Sequence, residues 1–117
     1  MMNARIYLMD ANEYQRLAMT TLNPLLDKKD VLINSVMGLC GEAGEAIDMV
    51  KKWLAQGHEL DKERFAKELG DIAWYLAEAA TAIDLPLSDI LQANVDKLKA
   101  RYPDGFAIER SINRTEE

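Results

Sequence analysis

The chain has 117 residues, 49% hydrophobic and 29% charged, a composition that supports the core of one globular domain and argues against a disordered chain. Its formal net charge of −6 predicts repulsion from nucleic acid polymers and from anionic membrane surfaces. The single cysteine, Cys40, excludes an internal disulfide and fits a reducing compartment.

The sequence shows no signal for export or membrane insertion. The N-terminal stretch MMNARIYLMDANEY lacks the apolar segment that follows a basic start in a signal peptide. No apolar run approaches the ~18 residues that a membrane-spanning helix needs. We therefore expect a cytoplasmic protein.

Hydrophobic periodicity and capping residues predict four helices and no strand. Asp10 and Asp61 are candidate N-caps, and Gly57 is a candidate stop after the second helix. We expect an all-α fold, a four-helix bundle with antiparallel core helices, in one domain over residues 1–106 with a polar C-terminal tail over 107–117. The helices are expected at about residues 10–22, 30–56, 61–83 and 88–101.

The second helix carries an unusual stretch, GLCGEAGEAIDMVKKW, with three glycines at a spacing of three. Each glycine inside a helix costs about 1 kcal/mol relative to alanine. On a helical wheel Glu42 and Glu45 lie at the edge of an apolar arc that we expect to face the core. The arc consists of Leu32, Val36, Leu39, Cys40, Ala43, Ile47, Val50, Trp53 and Leu54.

The third helix repeats this arrangement, with Glu68 and Asp71 at the edge of its own apolar arc. In an antiparallel hairpin, Glu45 faces Glu68 and Glu42 faces Asp71, so four carboxylates meet at one level. Clustered carboxylates repel one another, and oxygen-only ligation suits Mg²⁺ or Mn²⁺. The glycines then have a reason, because they allow a partner helix, a metal or a substrate to come close. A single acidic pair at this spacing is more often a cap or a solvated face.

These residues resemble one family. The pattern E-x-x-E followed by E-x-x-D stands here as Glu42, Glu45, Glu68 and Asp71. The phrases GLCGEAGEAIDMVKK, KELGDIAWYL and NVDKLKARYPDGF, spread over residues 30–106, are similar to those of the MazG-like all-α nucleotide pyrophosphohydrolases.

The resemblance implies a Mg²⁺-dependent enzyme that hydrolyses a nucleoside triphosphate (NTP or dNTP) to a monophosphate and pyrophosphate. Water attacks the α-phosphorus, the four carboxylates hold Mg²⁺, and one glutamate of the first pair, Glu42 or Glu45, orients or deprotonates the water. The family's basic residues map onto Lys97 and Arg101, with Asn94 on the same helical stripe, and these are expected to contact the triphosphate. A solvated basic face is the alternative for that stripe.

Several other residues are weaker candidates for substrate binding. Lys52 either touches phosphates or only adds a cation to the last helical turn, where cations are favoured. Trp53 and Tyr75 either stack on a base or pack beside the core. The wheel turns Trp74 away from Tyr75, so we expect Trp74 in a subunit interface.

The resemblance also implies a homodimer or a dimer of dimers, and a role either in house-cleaning of non-standard nucleotides or in regulation of nucleotide pools. Three alternatives stay open. In these alternatives the chain is a phosphoribosyl-ATP pyrophosphohydrolase, a non-catalytic helical interaction module, or a di-iron carboxylate bundle. The last needs Glu-x-x-His on two helices, whereas the only histidine, His58, follows Ala55 at that spacing.

Overall fold

The computed structural model of the chain describes residues 8–114. The first seven residues, part of the stretch inspected for a signal peptide, and the last three of the predicted tail lie outside the described residues. Within the described part there are helices and turns but no strand, which confirms the all-α prediction. The elements are α1 (Ala11–Ala18), a 3₁₀ helix (Met19–Thr21), α2 (Lys28–Ala55), α3 (Lys62–Ala82), α4 (Leu87–Arg101) and α5 (Ile108–Ile112).

The helix starts follow from aspartate caps. The Glu13 backbone N–H donates to the Asp10 side chain at 2.7 Å, and the Arg64 backbone N–H donates to Asp61 at 3.1 Å. Both caps confirm the prediction. The N-cap of α2 is Asp27, so this helix begins slightly earlier than the sequence pattern indicates. The short helix α5 falls inside the segment predicted as a polar tail.

The helices α2 and α3 form the antiparallel hairpin that the sequence predicts. The turn between them includes Gly57, whose φ of 73° lies in the left-handed region that favours glycine. Side chains pair across the hairpin in a constant antiparallel register. The Tyr75 ring lies against Gly38, and one turn further from the loop Asn34 meets Glu78.

The buried core lies on the other side of α3. It contains Ala18 of α1, Ala77 and Ala80 of α3, and Leu87 of α4. The Gln15 side chain joins these elements, because its amide donates to the Leu85 carbonyl at 3.1 Å and its carbonyl accepts from the Leu87 N–H at 2.7 Å. Thus α1 and α4 pack against α3 rather than covering the outer side of α2.

The expectation that the apolar arc of α2 faces the core is wrong for most of its residues. Ile47 is 64% exposed and Leu54 is 70% exposed within the single chain. The physical reason is the placement of α1 and α4, which pack on α3 and leave this face of α2 uncovered by the described residues. The exposed members are Leu32, Val36, Cys40, Ala43, Ile47, Trp53 and Leu54.

A membrane-spanning helix is not present among the described residues, because none of these helices combines the necessary length with sufficient apolarity.

Candidate functional site

Three carboxylates meet between α2 and α3. Glu42 lies on α2, and Glu68 and Asp71 lie three residues apart on one face of α3. One carboxylate oxygen from each residue lies within 4.8 Å of the other two. Glu45 is outside this group and lines a neighbouring cavity together with Glu68. The structure therefore brings three of the four predicted carboxylates to one point and places the fourth beside them.

The clustering changes the protonation of the group. A hydrogen bond with the Glu68 carboxyl, then burial, and then the charges of Glu68, Asp71 and Glu45 raise the pKa of Glu42 from 4.5 to about 7. One oxygen of Glu68, Oε2, is buried without a hydrogen-bond partner among residues 8–114. A buried carboxylate oxygen without a donor is costly, and a bound divalent cation would satisfy it.

A cavity of about 430 Å³ opens on one side of the carboxylates and is called here the aromatic cavity. Its aromatic wall contains Tyr75, whose ring occupies the place of a side chain at position 38. Glycine at position 38 is therefore required for this close approach. The same explanation does not extend to Gly41 and Gly44, where an added Cβ would meet no atom within 4 Å. The cavity is lined by Thr21, Glu42, Asp71, Trp74 and Tyr75.

Trp74 belongs to this wall, contrary to the expectation that it faces away from Tyr75 into a subunit interface. The two rings meet edge to face, with centroids 5.1 Å apart and planes at 86°. The Trp74 indole N–H donates to the Ala18 carbonyl and to the Thr21 hydroxyl, both at 2.9 Å. Packing of α1 on α3 thus turns the indole toward α1 and orients it within the chain.

Tyr14, in the middle of α1, interacts electrostatically with Asp71, a residue of the aromatic cavity. Burial, and then the negative charge of Asp71, raise the pKa of the Tyr14 hydroxyl above its usual value of 10.0. Tyr14 therefore keeps its proton at neutral pH and brings a neutral hydroxyl into the electrostatic range of Asp71.

A second cavity, of about 290 Å³, lies on the side of the α2–α3 turn and is called here the charged cavity. Lys52 lines it near Glu45, but its ammonium also pairs with Asp48 at 2.9 Å. Lys52, and then Lys51, lower the pKa of the Asp48 carboxyl. The full lining is Glu45, Asp48, Met49, Lys52, His58, Glu59, Leu60, Asp61, Arg64 and Glu68.

The remaining predicted substrate residues lie away from the carboxylates of the same chain. Trp53 lines a third cavity at the turn, with His58 and Lys62 among its neighbours. Asn94 and Lys97 are exposed on α4, and neither the aromatic nor the charged cavity includes a residue of that helix. Arg101 is 8% exposed, and its guanidinium lies 5.8 Å from the centre of the Tyr102 ring.

Sequence reasoning missed Thr21 and Trp74 in the cavity wall and Arg64 near Glu68. The aromatic pair three and four residues after Asp71 is a usable signal for Trp74, because residues at these spacings lie beside one another on a helix surface. No comparable signal distinguishes Thr21 from Thr20, since only the packing of α1 decides which hydroxyl reaches the indole.

Comparisons with known proteins agree with this geometry. The family model described as the MazG nucleotide pyrophosphohydrolase domain matches residues 33–106, which include all three clustered carboxylates. The chain is also similar to the Gene 37 protein of Mycobacterium phage L5, with 40% identity over 82 residues that span 67% of this chain and 72% of the phage protein. No solved structure matches the chain significantly.

Proposed function

Because the chain belongs to the MazG nucleotide pyrophosphohydrolase family, we propose that it hydrolyses a nucleoside triphosphate, NTP or dNTP, to the monophosphate and pyrophosphate with Mg²⁺. The observation that carries this proposal is the group of Glu42, Glu68 and Asp71, of which Glu42 and Asp71 line the aromatic cavity. A carboxylate group binds a metal–phosphate unit, and an aromatic wall suits the nucleoside that is attached to it.

The three carboxylates fit Mg²⁺, with Mn²⁺ as a substitute. The donor set consists of oxygen atoms only, which is the set that hard divalent cations prefer. The buried Oε2 of Glu68 gains the partner that it lacks among the described residues. When bound, the ion supplies positive charge to the phosphate oxygens.

Glu45 is the better candidate for the base. It lies beside Glu68 but outside the group of three, so its carboxylate is available to orient water. In the proposed reaction a water oxygen bonds to the α-phosphorus, and its proton passes to Glu45. The bond from the α-phosphorus to the bridging oxygen breaks, and pyrophosphate leaves with that oxygen. Glu42 shares its proton with Glu68 in the metal-free site and acts as a metal ligand.

Binding of the substrate involves residues near and far from this centre. Tyr75 lines the aromatic cavity, and we assign it to binding of the nucleoside. Lys52 lines the charged cavity, and we assign it to binding of the phosphates. Trp53 and the α4 stripe of Asn94, Lys97 and Arg101 lie elsewhere in the single chain. The proposed contacts of the α4 stripe with the triphosphate therefore require a second subunit. Trp53 lies on the exposed apolar face of α2, and we assign it to packing there rather than to the base.

We place the chain in a homodimer or a dimer of dimers for this reason and for a second one. The exposed apolar face of α2, which includes Ile47 and Leu54, is a continuous stripe along one helix rather than a set of scattered surface residues. A second copy covering that face buries apolar side chains that the single chain leaves in water. Hydrolysis of unwanted triphosphates by this assembly fits house-cleaning of nucleotide pools in the cytoplasm.

The first test measures pyrophosphate release from a panel of common and modified NTPs and dNTPs, with Mg²⁺ and with EDTA. We expect Mg²⁺-dependent release of monophosphate and pyrophosphate. Turnover of phosphoribosyl-ATP alone would move the chain to that activity. Absence of turnover of every nucleotide tested, phosphoribosyl-ATP included, with a folded protein in Mg²⁺ would contradict the proposal and favour a binding module.

Two conservative variants separate the proposed roles of the carboxylates. Glu45→Gln should lower kcat by about 10²-fold or more, the typical contribution of a general base, and change Mg²⁺ affinity little. Glu68→Gln should weaken Mg²⁺ binding itself, measured by calorimetry without nucleotide. Equal loss of Mg²⁺ binding in both variants would contradict the assignment of Glu45 as the base.

A further inference from the structure

The four predicted carboxylates are divided between two cavities of opposite chemical character. Glu42 and Asp71 line the aromatic cavity, and Glu45 and Glu68 line the charged cavity. The aromatic cavity combines two rings and a hydroxyl with only two carboxylates, Glu42 and Asp71. The charged cavity contains no phenylalanine, tyrosine or tryptophan, only the imidazole of His58, and its lining includes five carboxylates against the cations of Lys52 and Arg64. A nucleobase gains binding energy by stacking on aromatic rings. The aromatic cavity is therefore better suited to the nucleoside than the charged cavity is.

The aromatic cavity is also preorganised. Trp74 is held from both sides, by its edge-to-face contact with Tyr75 and by its indole hydrogen bonds to Ala18 and Thr21. The Thr21 hydroxyl accepts from the indole and donates to the Ala18 carbonyl at 3.0 Å, so its own orientation is set. A ring fixed before binding loses little conformational entropy when a ligand stacks on it.

We propose that the nucleoside half of the substrate binds in the aromatic cavity with its base against Trp74, and that Thr21, by orienting the indole, determines which bases are accepted. This inference rests on the proposed function and adds to it a direction for the nucleotide and two specificity residues. The cavity volume of about 430 Å³ lies within the range of ~300–1,000 Å³ that small-molecule sites occupy.

Tryptophan fluorescence tests the location of the base. The chain has two tryptophans, Trp53 and Trp74, in different cavities. The full-length protein is titrated with each of the common nucleoside monophosphates in Mg²⁺, and with inorganic tripolyphosphate in Mg²⁺ as the control without a base. We expect saturable quenching by at least one monophosphate and not by tripolyphosphate. The quenching should persist in Trp53→Phe and disappear in Trp74→Phe.

The opposite pattern, in which Trp53 reports the base, would overturn the inference, as would an equal response to tripolyphosphate or no response to any monophosphate. None of these results depends on turnover. Pyrophosphate release by the wild-type protein, measured separately, decides whether the proposed function holds. Failure of the nucleoside site and failure of the activity are therefore distinguishable.

A matched pair of threonine variants tests the positioning role. Both Thr20 and Thr21 donate a hydroxyl hydrogen bond to a carbonyl three residues earlier, but only Thr21 contacts the indole. Thr21→Val should change the ratio of kcat/KM between the preferred base and its competitors by about 10-fold, mainly through KM. Thr20→Val should leave that ratio unchanged. Equal ratios in both variants would show that Thr21 has no role in base selection.

Discussion

The ring of Tyr75 fills the space that a side chain at position 38 would need. A Cβ placed on Gly38 would overlap three atoms of this ring, so the helices α2 and α3 approach closely there only because position 38 is glycine. Gly38→Ala should destabilise the protein by about 1–3 kcal/mol, the usual range for overpacking, because the Tyr75 ring has to move. Urea unfolding of the Mg²⁺-free protein measures this change.

Gly44→Ala is the matched control for this prediction. Position 44 lies in the same helix, and an added Cβ there meets no atom within 4 Å. Alanine is the better helix former, so this variant should be neutral or more stable by up to about 1 kcal/mol. If both alanine variants change the stability equally, close packing of Tyr75 is not the reason for the glycine.

A buried carboxylate provides the second prediction. Glu78 is completely buried between α2 and α3, and the Asn34 side-chain amide donates to both of its carboxylate oxygens at 3.0 Å. Asn34→Leu should destabilise the fold by about 3 kcal/mol, since it leaves a buried carboxylate without this donor. Combining it with Glu78→Met should recover part of the loss. A double-mutant cycle by urea unfolding measures the coupling free energy between Asn34 and Glu78. If the two variants lower the free energy of unfolding additively, the prediction is contradicted.

The raised pKa of Glu42 predicts a pH dependence for Mg²⁺ binding. Below pH 7 a proton occupies the Glu42 carboxyl, with a pKa of about 7, and the ion must displace it. The affinity for Mg²⁺ should therefore fall by about 10-fold for each pH unit below 7 and be nearly constant above it. Isothermal titration calorimetry between pH 5.5 and 8.5, roughly the range that brackets this pKa, measures the slope. A flat profile would contradict the prediction.

The same proton affects the stability of the metal-free protein. The folded state holds this proton more tightly than the unfolded state, because the pKa of the Glu42 carboxyl is about 7 in the folded state and 4.5 in the unfolded state. The contribution of Glu42 to the free energy of unfolding is therefore largest below pH 4.5 and decreases as the pH rises toward 7. Glu42→Gln should remove this decrease in the free energy of unfolding with pH. It should also remove the pH dependence of Mg²⁺ affinity below pH 7, roughly the pKa of the replaced carboxyl.

The exposed face of α2 predicts the assembly state. A single chain has a mass of 13.2 kDa, and sedimentation equilibrium should give at least twice that value. Ile47→Lys should shift the protein toward the monomer, because a charge on this face opposes burial. Glu63→Lys, at an exposed polar position near the start of α3, is the control and should leave the mass unchanged. A compact wild-type monomer at micromolar concentration would contradict the proposed dimer.

Local signals in the sequence were sufficient for the helices and for most of the carboxylate site. Asp10 and Asp61 are recognisable in the sequence as helix N-caps, and both accept the capping hydrogen bond. The spacing of three residues places Glu68 and Asp71 on one face of α3. The antiparallel register follows from the short turn at Gly57, and it brings Glu42 to them. These inferences need only helix geometry, which is the same in every protein.

The other parts of the site depend on packing between distant segments. A helical wheel identifies the apolar face of α2 but contains no information on whether the same chain covers it. The direction of Trp74 is another example, because the position of α1 decides which partner its indole N–H finds. Only one of the three regularly spaced glycines, Gly38, has a close neighbour. Spacing alone therefore overestimated how many of them are required by packing.

The position of the carboxylates in the middle of the hairpin has a consequence for how such chains can vary. The pairs Gly38–Tyr75 and Glu42–Asp71 are separated from the turn by several helical turns of α2 and α3. An insertion between Gln56 and Asp61 lengthens the loop and leaves both pairs in place. A single deletion between Gly38 and Glu42 would rotate the glutamate by about 100° out of the site. Relatives should therefore differ in length at the loop and keep a constant spacing within each helix.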